Sequence, residues 1–214
     1  MGQRAQRPLR SRGTQAGTIL HFDGRGWRPI ETGTSIKFHA IHGNSATDVF
    51  VLGYQGTTGS YEYYSAHFDG TSWTANPIPD SDDLDKIWTS GPSDAYAISQ
   101  HQVMHYDGTS WSKSFDLKWP KMVYDIWGSG PADVYLVGTD GTGYPKPMIL
   151  HFDGKQWNST NTFPVKQPLT IWGSSSTDVF VGGDAGIAHF DGAARWPRSL
   201  ASGGRQLQEG RELA

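Results

Sequence analysis

Histidine and aspartate recur together in this chain, and they are the residues that could carry acid–base or metal chemistry. The string His-[Phe/Tyr]-Asp-Gly begins at His21, His67, His105, His151 and His189, at spacings of 46, 38, 46 and 38 residues. A second set of aspartates, Asp48, Asp94, Asp133 and Asp178, stands seven residues after Ile41, Ile87, Ile126 and Ile171. Imidazoles and carboxylates would suit a metal site or a proton relay if they converged. Their periodicity argues against convergence. A residue at the same place in every repeat points the same way in every repeat, so the copies are spread around the fold. The histidines therefore read as structural, each satisfied within its own unit, and neither a metal nor a cofactor is expected.

The surrounding pattern defines the elements that must hold them. A tryptophan follows each Asp-Gly pair, at Trp27, Trp73, Trp111, Trp157 and, one residue late, Trp196. Ahead of four of the strings lies a motif that ideally reads I-W-G-S-x-x-x-D-V-[FY], with Trp88, Trp127 and Trp172 in its second place and His42 there in the first copy. Each unit reads as four short strands. Ile-Trp-Gly forms an inner strand, Asp133–Gly138 shows the apolar run of a buried second strand, and Met148–Phe152 is the third. Asp153-Gly154 makes a tight turn, because glycine accepts a positive φ, and Trp157 opens the fourth strand. The expected fold is all-β: a β-propeller of four-stranded antiparallel blades, four or five in number. The blade units fall near residues 13–32, 37–77, 84–115, 122–161 and 169–192.

The pattern W-G-S-x-x-x-D-V-[YF]-x-V-G…H-[YF]-D-G-x-x-W runs from about Gly13 to Gly192. It resembles the Trp-rich propeller repeats of myxobacterial and related bacterial surface proteins. It is more distantly similar to the Asp-box hairpins of sialidase-type propellers, from which the Asp-to-Trp spacing here differs by one residue. The resemblance implies the fold, and a cell-surface or secreted location for full-length relatives, but no particular activity. Residues 1–12 and 193–214 match no part of the repeat and are expected to be a basic disordered tail and a degenerate or disordered C-terminal tail. The first unit begins inside a second strand. The expectation is either a ring closed by pairing residues 18–32 with the C-terminal blade, or self-association through open blade edges.

Composition excludes several function classes. A formal charge of −3 gives no electrostatic case for nucleic acid. Cysteine is absent, so there is neither a disulfide nor a thiolate metal site. No stretch approaches the roughly 18 apolar residues of a membrane span, so no membrane insertion is expected. Arg4, Arg7, Arg10 and Arg12 are followed by no apolar core, so the opening residues do not read as a signal peptide, and as read the chain is cytoplasmic.

Function is expected where the repeat is broken. From repeat aspartate to next histidine the distance is 11 residues in two blades, but 19 and 18 in the blades of Asp48 and Asp133. These extensions between the second and third strands are rich in Gly and Tyr, a composition that offers contact area at low entropic cost. Tyr54, Tyr61, Glu62, Tyr63 and Tyr64 on the first, with Asp140 and Tyr144 on the second, are the candidate ligand-binding residues. They are expected to form two walls around the central opening. The stretch Asp80-Ser-Asp82-Asp83-Leu-Asp85 offers carboxylates to a hard cation but lacks the glycine and terminal glutamate of a calcium loop, and reads as a solvated acidic connection.

The expected function is a non-catalytic binding or scaffold propeller that recognises a protein or a glycan. One alternative is a propeller-type glycoside hydrolase. That chemistry needs paired carboxyls, and residues 13–192 hold only two glutamates, Glu31 and Glu62. Glu62 with Asp140 or Asp82 is the pair it would use. A sialidase would need clustered arginines, and the same region has only Arg25 and Arg28. A further alternative is a truncated fragment of a larger surface propeller protein.

Overall fold

A computed structural model of the chain describes residues 17–57, 59–118, 121–141, 144, 146–160, 165–184, 186–192 and 200–201. Every regular element among them is a strand. An N-terminal hairpin pairs β1 (Ile19–Phe22) with β2 (Trp27–Ile30). Four antiparallel sheets of four strands follow. Blade 1 is β3 (Lys37–Ser45), β4 (Asp48–Thr57), β5 (Ser60–Phe68) and β6 (Trp73–Ile78). Blade 2 is β7 (Lys86–Gly91), β8 (Asp94–Ile98), β9 (Gln102–Tyr106) and β10 (Trp111–Asp116). Blade 3 is β11 (Lys121–Gly130), β12 (Asp133–Asp140), β13 (Lys146–Phe152) and β14 (Trp157–Thr160). Blade 4 is β15 (Lys166–Ser175), β16 (Asp178–Asp184), β17 (Gly186–Phe190) and β18 (Leu200–Ala201). Within each blade the strands lie in sequence order. The chain is an all-β propeller of four-stranded blades, and β3, β7, β11 and β15, which carry the Ile-Trp-Gly-type segments, surround a common central cavity.

Alternation along the strands explains the stacking. Successive side chains point to opposite faces of a sheet. On β8, Ala95 and Ala97 pack toward blade 1, while Tyr96 and Ile98 pack toward blade 3. On β12, Leu136 faces blade 2 and Val137 faces blade 4. Four apolar clusters result, one at each junction from the hairpin to blade 4. Burying a side chain such as Phe50 or Tyr96 contributes roughly 1.5–3 kcal/mol.

Each blade is also clamped internally. Nε2 of His67, His105, His151 and His189 lies 2.7 Å from Oδ1 of Asp48, Asp94, Asp133 and Asp178 respectively. Each imidazole stacks on the aromatic ring two residues after that aspartate, with centroids 4.1–4.5 Å apart. The clamp ties the third strand to the start of the second. His21 has no such aspartate among the described residues. The Asp-Gly turns repeat equally closely. Oδ1 of Asp153 accepts the backbone N–H groups of Lys155 and Gln156, both at 2.9 Å, and Gly154 takes φ +86°. Those N–H bonds hold the Asp153 carboxyl below its ordinary value, and the same cause acts at Asp69 and Asp107.

Two expectations are corrected. Among the described residues, the strands of 19–30 pair with each other and rest on blade 1 through Ile19 and Ile30, so they do not complete the C-terminal blade. The fourth strand of that blade is instead β18, which pairs Leu200 with Ile187 and comes from the stretch that shows no repeat. Strand pairing needs backbone alone, so a segment without the motif can still serve. Trp196 lies outside the described residues.

The inner strands reveal a steric rule. The ring of Trp88 lies on Gly128 of the next blade, and that of Trp127 on Gly173. A Cβ at Gly128 would stand 2.7 Å from Trp88 Cη2 and 2.7 Å from the Asp133 carbonyl oxygen. In blade 2 the equivalent position is Thr89, and the ring facing it is the smaller His42, whose Nδ1 accepts the Thr89 N–H at 3.2 Å. Overpacking a tight core contact of this kind costs roughly 1–3 kcal/mol. Gly128→Ala should therefore lower the midpoint of denaturant unfolding by that equivalent, whereas Gly91→Ala, with open space around it, should leave it nearly unchanged.

Candidate functional site

The first extension is regular β-structure rather than a loose loop. β4 and β5 stay paired from Gly53↔Tyr64 out to Thr57↔Ser60. Gly56 at φ +111° and Gly59 at φ +90° allow the tip to reverse. Alternation gives this hairpin two faces. Tyr54 and Tyr63 face each other across the strands, and Tyr61 follows on the same side. The Tyr54 and Tyr61 rings meet edge to face at 4.8 Å, and Lys37 Nζ stands 5.9 Å from the Tyr54 centroid. The opposite side is polar. Gln55 Nε2 donates to the Tyr64 hydroxyl at 2.7 Å, and that hydroxyl donates to Glu62 Oε2 at 3.0 Å. The bond to Glu62 is the main cause that raises the Tyr64 hydroxyl above its ordinary range.

The seven sequence-predicted residues take distinct places. Tyr61, Glu62, Tyr63 and Tyr64 line a groove of about 270 Å³, closed on its other side by Pro77, Pro79, Asp80 and Ser81. Tyr63 is also a packing residue, buried in the cluster between blades 1 and 2. Its hydroxyl is raised by burial first and then by the charges of Asp83 and Asp82. Tyr54 is half-buried against the same cluster. Asp140 and Tyr144 belong to blade 3, two blades on, and do not line this groove. Asp140 pairs with Lys121 at 3.7 Å, and Tyr144 is 97% exposed. The acidic connection contributes a groove wall through Asp80, while Leu84 within it is buried.

The central cavity is a second concave feature, of about 420 Å³, and no described residue of either extension lines it, so those residues do not form the expected walls around it. Its residues come from the inner strands. The place just before the motif isoleucine holds Ala40, Lys86, Asp125 and Thr170 in successive blades. Lys86 Nζ lies 3.1 Å from Asp125 Oδ1, and Asp125 Oδ2 accepts Thr170 Oγ1 at 2.7 Å and the Ile171 N–H at 3.0 Å. A polar ladder thus links blades 2, 3 and 4. Its signal in the sequence is the variable column immediately before the repeated isoleucine. His39 and His42 add imidazoles to the lining, and Nε2 of His39 lies 2.9 Å from the Leu84 carbonyl oxygen. Among the described residues, no group of three or more His, Cys, Asp or Glu side chains is gathered as a metal centre.

The sequence matches no family model and no curated protein. The fold is similar to that of YCF48 bound to D1 peptide, at 15% identity and a TM-score of 0.57, over 86% of this chain and 62% of that one. It is also similar to a functionally unknown protein from Desulfotomaculum acetoxidans DSM 771, at 14% identity and a TM-score of 0.55, over 81% of this chain and 58% of that one. The aligned chain thus spans about three fifths of each. These likenesses bear on the fold.

His42 carries a pH dependence. Burial pushes its imidazole below the ordinary value of 6.5, with Asp48 partly opposing. The neutral ring is the form whose Nδ1 can accept from Thr89. This contribution is complete above about pH 6.5, the unfolded value, and is lost as pH falls from there through the lower folded value. The depressed turn aspartates act only near and below their own ordinary range, further down the pH scale. The melting temperature should therefore drop between pH 7.5 and 5.5. His42→Gln, which keeps an acceptor but does not titrate, should flatten that drop when both proteins are scanned calorimetrically.

Proposed function

We propose that this protein is a non-catalytic binding module, and that the β4–β5 hairpin with the Pro77–Ser81 segment forms its recognition surface for a protein segment or a glycan. The observation that carries the reading is the hairpin's preorganisation. An exposed tyrosine and a fixed Gln55–Tyr64–Glu62 network project from paired strands, so a ligand would meet them with little ordering cost. Aromatic rings beside hydrogen-bonding groups suit either a sugar ring or an extended peptide. A protein of similar fold, YCF48, is bound to a peptide, which makes peptide recognition compatible with this architecture.

Binding is favoured over glycoside hydrolysis on geometric grounds. Hydrolysis needs two carboxyls across one bond. Glu62 is engaged by Tyr64 and Gln55, and of its two suggested partners Asp140 is paired with Lys121, while neither Asp140 nor Asp82 lines the groove.

A glycan array and a peptide-display selection, both run on the intact chain, test this. Tyr61→Ala and Glu62→Ala should each abolish binding to whatever ligand is selected, while changing stability by at most about 1 kcal/mol, the scale of an exposed cross-strand pair. Tyr63→Ala should cost roughly 3–5 kcal/mol, the range for truncating a buried large aromatic. Full binding by the Tyr61/Glu62 double variant would place recognition elsewhere, with the central cavity next to be tested.

A further inference from the structure

Among the described residues, five of the nine exposed large hydrophobic side chains lie on two end faces, those of the N-terminal hairpin and of blade 4. Leu20, Phe22 and Trp27 are 50–69% exposed on the outward side of the N-terminal hairpin, and Trp172 and Ile187 are 60% and 53% exposed on the outward side of blade 4, with Phe180 between them. Isolated exposed hydrophobics need no explanation, but two clustered sheet faces do.

The repeat identifies what fits each face. Counting from the motif histidine, Leu20, Phe22 and Trp27 are equivalent to Leu150, Phe152 and Trp157 of blade 3. Trp172, Phe180 and Ile187 are equivalent to Trp88, Tyr96 and Val103 of blade 2. Those two sets already meet inside the molecule. Tyr96 lies 6.4 Å from Phe152 and 6.1 Å, edge to face, from Trp157, in the cluster that also holds Trp88, Val103 and Leu150. The blade 2–blade 3 junction is thus a worked example of one end face seated on the other.

We propose that the two end faces form a head-to-tail interface between copies of this chain, with the blade 4 face of one copy docking on the hairpin face of the next. The interface is heterologous, because the two surfaces differ, and each copy retains one free head and one free tail for further addition. Its driving force is apolar burial, as at the internal junctions.

Mixing complementary variants tests the geometry. Phe22→Asp spoils every hairpin face but leaves blade 4 intact, and Ile187→Asp does the reverse. By sedimentation equilibrium, the wild-type chain should gain mass with concentration and each variant alone should stay monomeric. An equimolar mixture should stop at a complex of twice the monomer mass, since neither end of that pair can grow. Far-UV circular dichroism checks that the variants fold, and Leu20→Lys with Trp172→Lys repeats the test at other exposed positions of the same faces. A wild-type chain that stays monomeric would overturn the proposal and point to closure within one chain. Association that survives in both single variants would overturn it in favour of edge-to-edge pairing, and a mixture that remains monomeric would overturn it outright.

Discussion

Each sheet of this protein is apolar on both faces, and that constraint governs the rest of the structure. A strand such as β8 sends Ala95 and Ala97 one way and Tyr96 and Ile98 the other, so no blade can bury its side chains alone. Stacking is the available solution, and the blades follow one another in chain order with one apolar cluster at each junction. The Trp–Gly contacts show how tightly the stack is fitted. Where the next blade has Thr89 in place of glycine, the facing residue is His42 in place of tryptophan. The same constraint leaves the hairpin face and the blade 4 face with exposed apolar side chains and no neighbour among the described residues, which is the origin of the proposed contact between copies.

Local polar bonds fix each blade from within. The Asp–His clamps act across the second and third strands, and the Asp-Gly turns act between the third and fourth. Both satisfy carboxylates with donors a short distance away in space. The clamps occupy the very residues that would otherwise suggest catalysis. Asp48 is held by His67 and Asn44, and Asp133 by His151 and Ser129. Side chains with both oxygens engaged in structural bonds have little capacity left for a substrate.

Departures from the repeat therefore carry the distinctive surfaces. The blade 1 extension adds length to a hairpin whose base is already rooted in the core through Tyr63, so its outer tyrosine and its Gln55–Tyr64–Glu62 network are held without a dedicated loop fold. The variable column on the inner strands does something different. There Lys86, Asp125 and Thr170 meet across blades because stacking brings equivalent positions together around the axis.

The sequence by itself determined the blade, its four strands, its turns and the satisfaction of His67, His105, His151 and His189 within their own blades. These follow from local period and from a motif whose parts lie within about one repeat, so spacing alone relates them. It also located the departures at Tyr54–Tyr64 and at Asp140–Tyr144. Only the tertiary structure decided which of those residues lie together. Tyr63 and Tyr61 sit two positions apart on one strand, yet one is buried by blade 2 and the other projects past it. Asp140 and Tyr144 share the composition of the first extension but belong to another blade and stand outside its groove. The Lys86–Asp125–Thr170 ladder, the pairing of β18 and the seating of the N-terminal hairpin on blade 1 were equally beyond the reach of the motif. Each depends on how sheets far apart in sequence are brought face to face, and burial is a property of that neighbour, not of the residue.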